Sequence, residues 1–420
     1  MHILKLNRAF LPFTIIKNHP IRIIASGVLV MALLMPLVGI TAKPDAKRYI
    51  VYIGTYTRVA SKGIYGYRFT PATGDLAPLG LIQEAVNPSW LVEHPNHRFL
   101  YATNEHPTKI APGNSVTAYA RDEKTGKLTL LNTVSSKGEG PAHLAIDKTG
   151  KILVAANFIS GSVATFPIHP DGRLGEAAAS VALVGTAAGP SVAKDDNGVS
   201  PTDSHNHCVV ISPDNRFVLV CNIGMGKVFV FRLNAATGAL EQNGEPFTVP
   251  TVGWRPRHLT FHPNGKYVYM ISGSMQVTVA AYDAAAGTLK EIQSAPLTAV
   301  TAGMSEGSEV QIDRAGKFVY ASTRAVDASL RTSHLDGTLH VLAVDPATGK
   351  LTPVQHISSM GDTPRTFALD PSGKYLFAGN EYSGTMAIFA IDRKTGMLSP
   401  TGKVLKDVPE PSCILFVAEN

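Results

Sequence analysis

Residues 256–293 read PRHLTFHPNGKYVYMISGSMQVTVAAYDAAAGTLKEIQ. Four short runs of strand-forming residues stand out: HLTF (258–261), YVYMIS (267–272), VTVAAYD (277–283) and LKEIQ (289–293). Turn-forming residues separate them, so the stretch predicts strand, turn, strand, loop, strand, turn, strand. The hinge of its first hairpin is marked by Lys266-Tyr267, a basic residue followed by the residue that opens an apolar run. The hinge of its second is marked by Gly287 in AAGTL, where glycine supplies the positive φ of a tight turn.

Both marks recur along the chain. The basic–apolar pair appears at Arg48-Tyr49, Arg98-Phe99, Lys151-Ile152, Arg216-Phe217, Lys266-Tyr267, Lys317-Phe318 and Lys374-Tyr375, at spacings of 50, 53, 65, 50, 51 and 57. The x-x-Gly-x-Leu pattern appears at Gly74, Gly126, Gly172, Gly238, Gly287, Gly349 and Gly396, interleaved with the first set. Seven units of about 50 residues with four antiparallel strands each predict an all-β, seven-bladed β-propeller. Counting back eleven residues from each pair finds Pro88, Pro141, Asn206, Pro256, Gly307 and Pro364, each opening an inner strand. The first pair has no such strand before it. Pro411-Ser412-Cys413-Ile414-Leu415-Phe416-Val417 supplies it, so the C-terminal strand is expected to complete the first blade and close the ring.

The remaining sequence sets limits. Of 420 residues, 45% are hydrophobic and 17% charged, with 37 Gly, 28 Pro and 3 Cys, which excludes a disordered, collagen-like or disulfide-scaffold chain. The net charge of +6 is mostly carried by Lys5, Arg8, Lys17 and Arg22. The near-neutral body offers no electrostatic footprint for nucleic acid. Residues 1–46 combine that basic start with an apolar run from Ile23 to Ile40 and read as a signal peptide or N-terminal membrane anchor. The propeller is then 47–420, and the protein is expected to be periplasmic or secreted, with inner-membrane anchoring open. The 65-residue spacing places an insertion at about 176–204, expected as a loop over one face.

In a propeller the inner strands converge on a central channel. Ten and nine residues before each pair lie the residues that open those strands, including Trp90, His143, His207, Arg257, His258, Glu309 and Arg365. The second strand runs antiparallel, so its end lies beside these, bringing in Glu105, Asn157, Arg324 and Glu381. One face is therefore expected to gather three His, three Arg and three Glu, a polar pocket that tolerates anions. A solvated channel mouth with mutually paired charges is the plainer alternative. Trp90 reads equally as a platform for a sugar-like ligand or as a channel-lining core aromatic. Cys208 and Cys221 lie symmetrically about the PDN turn (213–215) and are expected to face each other as free buried thiols.

The segments YIVYIGTYTRVASKGIYGYRFTPATGDL, NPSWL, GPAHLAIDKTGK, HNHCVVISPDNRFVLVCNIG, RPRHLTFHPNGKYVYMIS and TPRTFALDPSGKYLFAGNE together resemble the lactonase family of seven-bladed propellers. That family includes propeller-type 6-phosphogluconolactonases and the carboxymuconate lactonizing enzyme. The resemblance spans 49–420 and places His143, His207, Arg257, His258, Arg365, Glu309 and Arg324 at family positions. It departs at Asn222-Ile223-Gly224-Met225-Gly226 and at Ser272-Gly273, where family acids are missing, and at Thr323-Arg324.

The implied activity is opening of a sugar-derived lactone. Such hydrolysis needs a base for water, a donor for the oxyanion and groups that hold the substrate. His143, His207, Glu309 and Arg324 are the expected catalytic residues, with Arg324 or His258 at the oxyanion. Arg257, His258, Arg365 and Asn157 are the expected substrate-binding residues. No metal and no cofactor are expected, and no C-x-x-C spacing occurs. The expected partner is a small-molecule lactone, acted on by a monomer. A catalytically silent binding propeller and a lactonizing isomerase remain as alternatives.

Overall fold

A computed structural model describes residues 47–105, 114–183, 204–298, 305–325 and 335–419. These hold 28 strands, numbered β1–β28 in chain order, in seven four-stranded sheets. All the pairings are antiparallel. The unit quoted above is one sheet, with β16 (Pro256–Phe261), β17 (Tyr267–Ser272), β18 (Gln276–Asp283) and β19 (Thr288–Pro296) in simple meander order. The expected ring closure is present: β28 (Pro411–Ala418) pairs with β1 (Tyr49–Thr55), Tyr49 facing Ala418 and Ile53 facing Ile414.

The two sequence marks meet in space. The apolar residue of each basic–apolar pair, or its neighbour, packs on the turn glycine of the next blade. A Cβ on Gly172 would lie 2.3 Å from the Phe99 ring, one on Gly287 2.3 Å from Phe217, and one on Gly396 2.4 Å from Phe318. The same contact crosses the closure, where a Cβ on Gly74 would lie 2.7 Å from the Tyr375 hydroxyl. Tyrosines reinforce four of these joints: Tyr52, Tyr101, Tyr269 and Tyr320 donate from their hydroxyls to the carbonyls of Gly126, Gly172, Gly349 and Gly396 at 2.7–3.1 Å. Hence the glycines are needed twice, for φ near +70° and for room under an aromatic ring.

The core is likewise distributed. Each apolar cluster sits between adjacent blades, as where Leu219 and Val230 of one pack with Leu259 and Met270 of the next.

One expectation needs adjustment. The insertion predicted at 176–204 takes in a strand, because β11 (Ala179–Ala182) is the fourth strand of the third blade. The Gly172 turn is followed by a single bridge, Ile168 to Leu174, which delays that strand. The leader, 1–46, and residues 184–203 lie outside the described residues. Among the described residues, no helix is long and apolar enough to cross a membrane.

Candidate functional site

Inner strands usually keep regular register, but here most slip at the channel end. In β8 (Pro141–Ile146), β12 (Asn206–Ile211), β16, β24 (Pro364–Leu369) and β28, one extra residue is inserted: Ala142, His207, Arg257, Arg365 and Ser412. In β20 (Ser305–Ile312), Ser308 and Glu309 both oppose Ser322. A bulge bends its strand and re-aims the side chain it carries. Repeated around the ring, it turns neighbouring residues such as Arg257 and His258 toward one place.

That place contains a hydrogen-bonded chain. Glu309 Oε1 lies 3.1 Å from His258 Nδ1, and His258 Nε2 lies 3.1 Å from His207 Nδ1. Glu309 Oε1 also accepts the backbone N–H of Val310 at 2.9 Å. With Glu309 as acceptor, His258 carries its proton on Nδ1, and its Nε2 accepts from His207 Nδ1–H. The Nε2 of His207 is then the free lone pair of the chain. Burial, together with the charges of Arg257 and of neighbouring groups, holds both imidazoles well below their ordinary range. Burial pushes the Glu309 carboxyl up to about 7, with Arg257 opposing.

Beneath the chain lies an aromatic floor. Trp90 stacks on His143 at 3.9 Å between ring centres and meets His258 edge-on at 5.4 Å. His143 Nδ1 accepts the Val209 N–H at 3.4 Å, and its Nε2 lies 3.7 Å from Cys208 Sγ. Cys208 and Cys221 face each other in register, both buried and free.

Three guanidinium groups border the chain. Arg257 is 3% exposed and donates to the Ser308 carbonyl. Arg324 lies 3.5 Å from Glu306, which also takes Arg255 at 3.6 Å. Arg365 lies 3.7 Å from Glu381 and donates to the Tyr56 hydroxyl, which in turn donates to Glu105 at 2.9 Å. Arg58 pairs with Glu381 and, at 2.9 Å, with Glu410. Burial works against the charge of Arg365, but the Tyr56, Glu381 and Glu105 oxygens outweigh it and raise its basicity.

The structure thus brings His207, His258, Glu309, Arg257, Arg324 and Arg365 around one point, with His143 in the floor. Asn157 has a different environment. It is fully buried, and its amide donates to the Ser136 carbonyl and the Ser162 hydroxyl, each at 3.0 Å. Asn104 and Asn380, at equivalent positions, bond the Val86 and Ser359 carbonyls in the same way, stitching each blade to the one before. Asn222 is spent on Ser204, Asn206 and the Met225 amide.

Tyr56 and Arg58 escaped the sequence reading. They lie in the loop just after β1, beyond the last position at which the repeat keeps register, and only their aromatic and basic character signals them. The Tyr56 ring sits between two cations, 4.3 Å from Arg58 and 4.8 Å from Arg365. Among the described residues, no group of three His, Cys, Asp or Glu is arranged to hold a metal ion.

Residues 50–416 match the family described as Lactonase, 7-bladed beta-propeller. The chain is 30% identical over 374 residues to the 6-phosphogluconolactonase of Bacillus subtilis strain 168, covering 88% of this chain and 99% of the relative. It is 27% identical over 351 residues to the 6-phosphogluconolactonase of Formosa agariphila, covering 83% and 94%. Among solved structures, it resembles a Bacteroides fragilis protein provisionally assigned as a 6-phosphogluconolactonase, with a TM-score of 0.77 and 34% identity over 90% and 99% of the two chains. It also resembles the Pseudomonas aeruginosa periplasmic gluconolactonase, with a TM-score of 0.77 and 28% identity over 89% and 100%.

Proposed function

The chain belongs to the seven-bladed β-propeller lactonase family, and from that premise we propose that the His–Glu–Arg cluster at its channel mouth opens a sugar-derived lactone by adding water. The enzyme class, a hydrolase acting on lactones, follows from the relatives. The observation that carries the assignment of residues is the buried Glu309–His258–His207 chain beside three guanidinium groups.

His207 Nε2 takes a proton from the attacking water. His258 and ionised Glu309 share the positive charge that results, as a carboxylate does behind any imidazole base. The depressed basicity of His207 keeps it neutral, and so able to accept, well below pH 6.5. Trp90, lying flat on His143, offers an apolar surface for the carbon face of a sugar ring. Arg365 is held by Tyr56 and Glu381 and borders the substrate without being free to move toward it. Asn157 holds blades together in this reading.

An exported location is part of the same proposal. It is supported by the basic and apolar leader and by the periplasmic neighbour. A pH-stat assay on protein recovered from the periplasmic fraction tests both parts. Turnover of glucono-δ-lactone or its 6-phosphate is the expected result. Recovery in the cytoplasm would count against export, and no turnover on any lactone would favour a silent binding propeller.

A further inference from the structure

Two thiols next to the site take no part in lactone hydrolysis. Cys208 and Cys221 stand directly opposite each other on β12 and β13 (Phe217–Asn222), so their side chains leave the sheet on the same face. Cα atoms paired in this way are about 4.5–5.5 Å apart, inside the roughly 4.4–6.8 Å that a disulfide spans. Cys208 also touches the floor of the pocket. His143 Nδ1 accepts the Val209 N–H, so the ring proton sits on Nε2 and points at Cys208 Sγ, 3.7 Å away. Burial opposes ionisation of Cys208, but the Cys221 thiol that donates to it and the neighbouring His143 outweigh burial and hold it well below the ordinary thiol range. Burial and the Cys208 sulfur push Cys221 the other way. One sulfur is poised as a thiolate and its partner is kept protonated, as in a nucleophilic and a resolving cysteine. The third thiol, Cys413, accepts the Leu91 N–H at 3.4 Å, and burial pushes it up to about 12, which leaves it inert.

We propose that Cys208 and Cys221 are a peroxide-responsive dithiol, and that closing it to a disulfide slows the lactonase by disturbing His143. Both sulfurs are buried, so a protein oxidant cannot dock on them. Hydrogen peroxide is close to water in size and can enter where the hydrolytic water does. The Cys208 thiolate attacks one peroxide oxygen, the O–O bond breaks, and the departing hydroxide takes up the proton that Cys208 gave up, leaving as water. Cys208 is then a sulfenic acid. The Cys221 sulfur attacks the Cys208 sulfur, the S–O bond breaks, and a second water leaves with the Cys221 proton. Two thiols lose two electrons, and one peroxide is reduced to two waters.

Closure draws Cys208 Sγ to about 2.05 Å from the Cys221 sulfur, away from His143 Nε2. That N–H is then buried without its acceptor, a costly state that turning the ring relieves. Trp90 stacks on the same ring at 3.9 Å, and both rings meet His258 edge-on at 5.4 Å. The floor under the base chain therefore shifts with the disulfide. This coupling to turnover rests on the lactonase reading above; the dithiol chemistry does not.

The test treats the purified protein with hydrogen peroxide, counts thiols in denaturant and follows lactone turnover by pH-stat. Free thiols are expected to fall from three to one, with Cys208 and Cys221 joined in the peptide map. Turnover is expected to fall severalfold, and dithiothreitol to restore both thiols and turnover. Cys221→Ala is expected to keep its basal turnover, to form no disulfide and to hold a sulfenic acid at Cys208 that dimedone labels. Three thiols surviving peroxide, or a disulfide through Cys413, overturns the proposal. So does a disulfide that leaves turnover unchanged, or a loss of turnover that Cys208→Ala shows equally. Should either variant fail to fold, the peptide map and the dithiothreitol recovery of the wild type still decide. Turnover of no lactone before peroxide would take down the lactonase reading and the coupling to it, and the thiol count would still judge the dithiol.

Discussion

Glu309 shows how one residue's surroundings set a working pH. Its carboxyl is 4% exposed, one oxygen has no partner, and burial raises it to about 7. The imidazoles it supports are shifted the other way, so they remain neutral while Glu309 titrates. Because the ionised carboxylate is what shares the imidazolium charge, activity should rise with pH through a midpoint near 7. That limb belongs to the coupled chain and not to a single histidine. In Glu309→Gln, kcat should fall and the limb near 7 should vanish from a pH–rate profile. Stability should move oppositely. A carboxyl with a raised folded value contributes stability below its unfolded value near 4.5 and loses it as pH rises through about 7. The Gln variant, which stays neutral, should therefore melt no lower than the wild type at pH 8, as read by calorimetry. Glu309 was legible in the sequence as one of a row of channel residues. Its role was not, because desolvation and the distance to His258 depend on the neighbouring blade.

At the scale of the element, the hairpin turns and the bulges divide the work. The x-x-Gly-x-Leu turns fasten blade to blade, and Gly396 is a representative joint. Its φ is +75°, Phe318 covers it, and its carbonyl takes the Tyr320 hydroxyl at 3.0 Å. Gly396→Ala should cost about 1–3 kcal/mol from the left-handed conformation alone, and more if the Phe318 ring must move. Denaturant unfolding would measure it, and lactone turnover of the folded fraction should be unchanged, since the joint lies at the far end of the strands from the site. The bulges act at the channel end. Equal spacing in the sequence located Arg257, His207 and Arg365 in equivalent positions, yet regular strands would alternate their neighbours to opposite faces. An inserted residue is not visible in a repeat count when most blades carry one at the same place.

For the whole molecule, stability depends on closing the ring. Each blade packs only on its neighbours, so an open ring would expose the apolar faces of two sheets at once. β28 supplies Cys413, Ile414 and Val417 to the clusters on both sides of the first blade. Glu410, just before it, anchors Arg58, and Arg58 and Glu381 lie on opposite sides of the closure. A chain ending at residue 410 should lose its cooperative melting transition, followed by far-ultraviolet circular dichroism, and should bind hydrophobic dyes. The order of residues by itself determined the number of blades, the strands within them and the strand that closes the ring. Those follow from local hairpins whose turn glycines and apolar runs repeat along the chain. Only the tertiary structure decided which charges meet across the channel. Arg257, Glu309, His207 and Arg365 come from four different blades. Their separations are set by bulges and by packing across the channel, and no spacing along the chain encodes a distance across it.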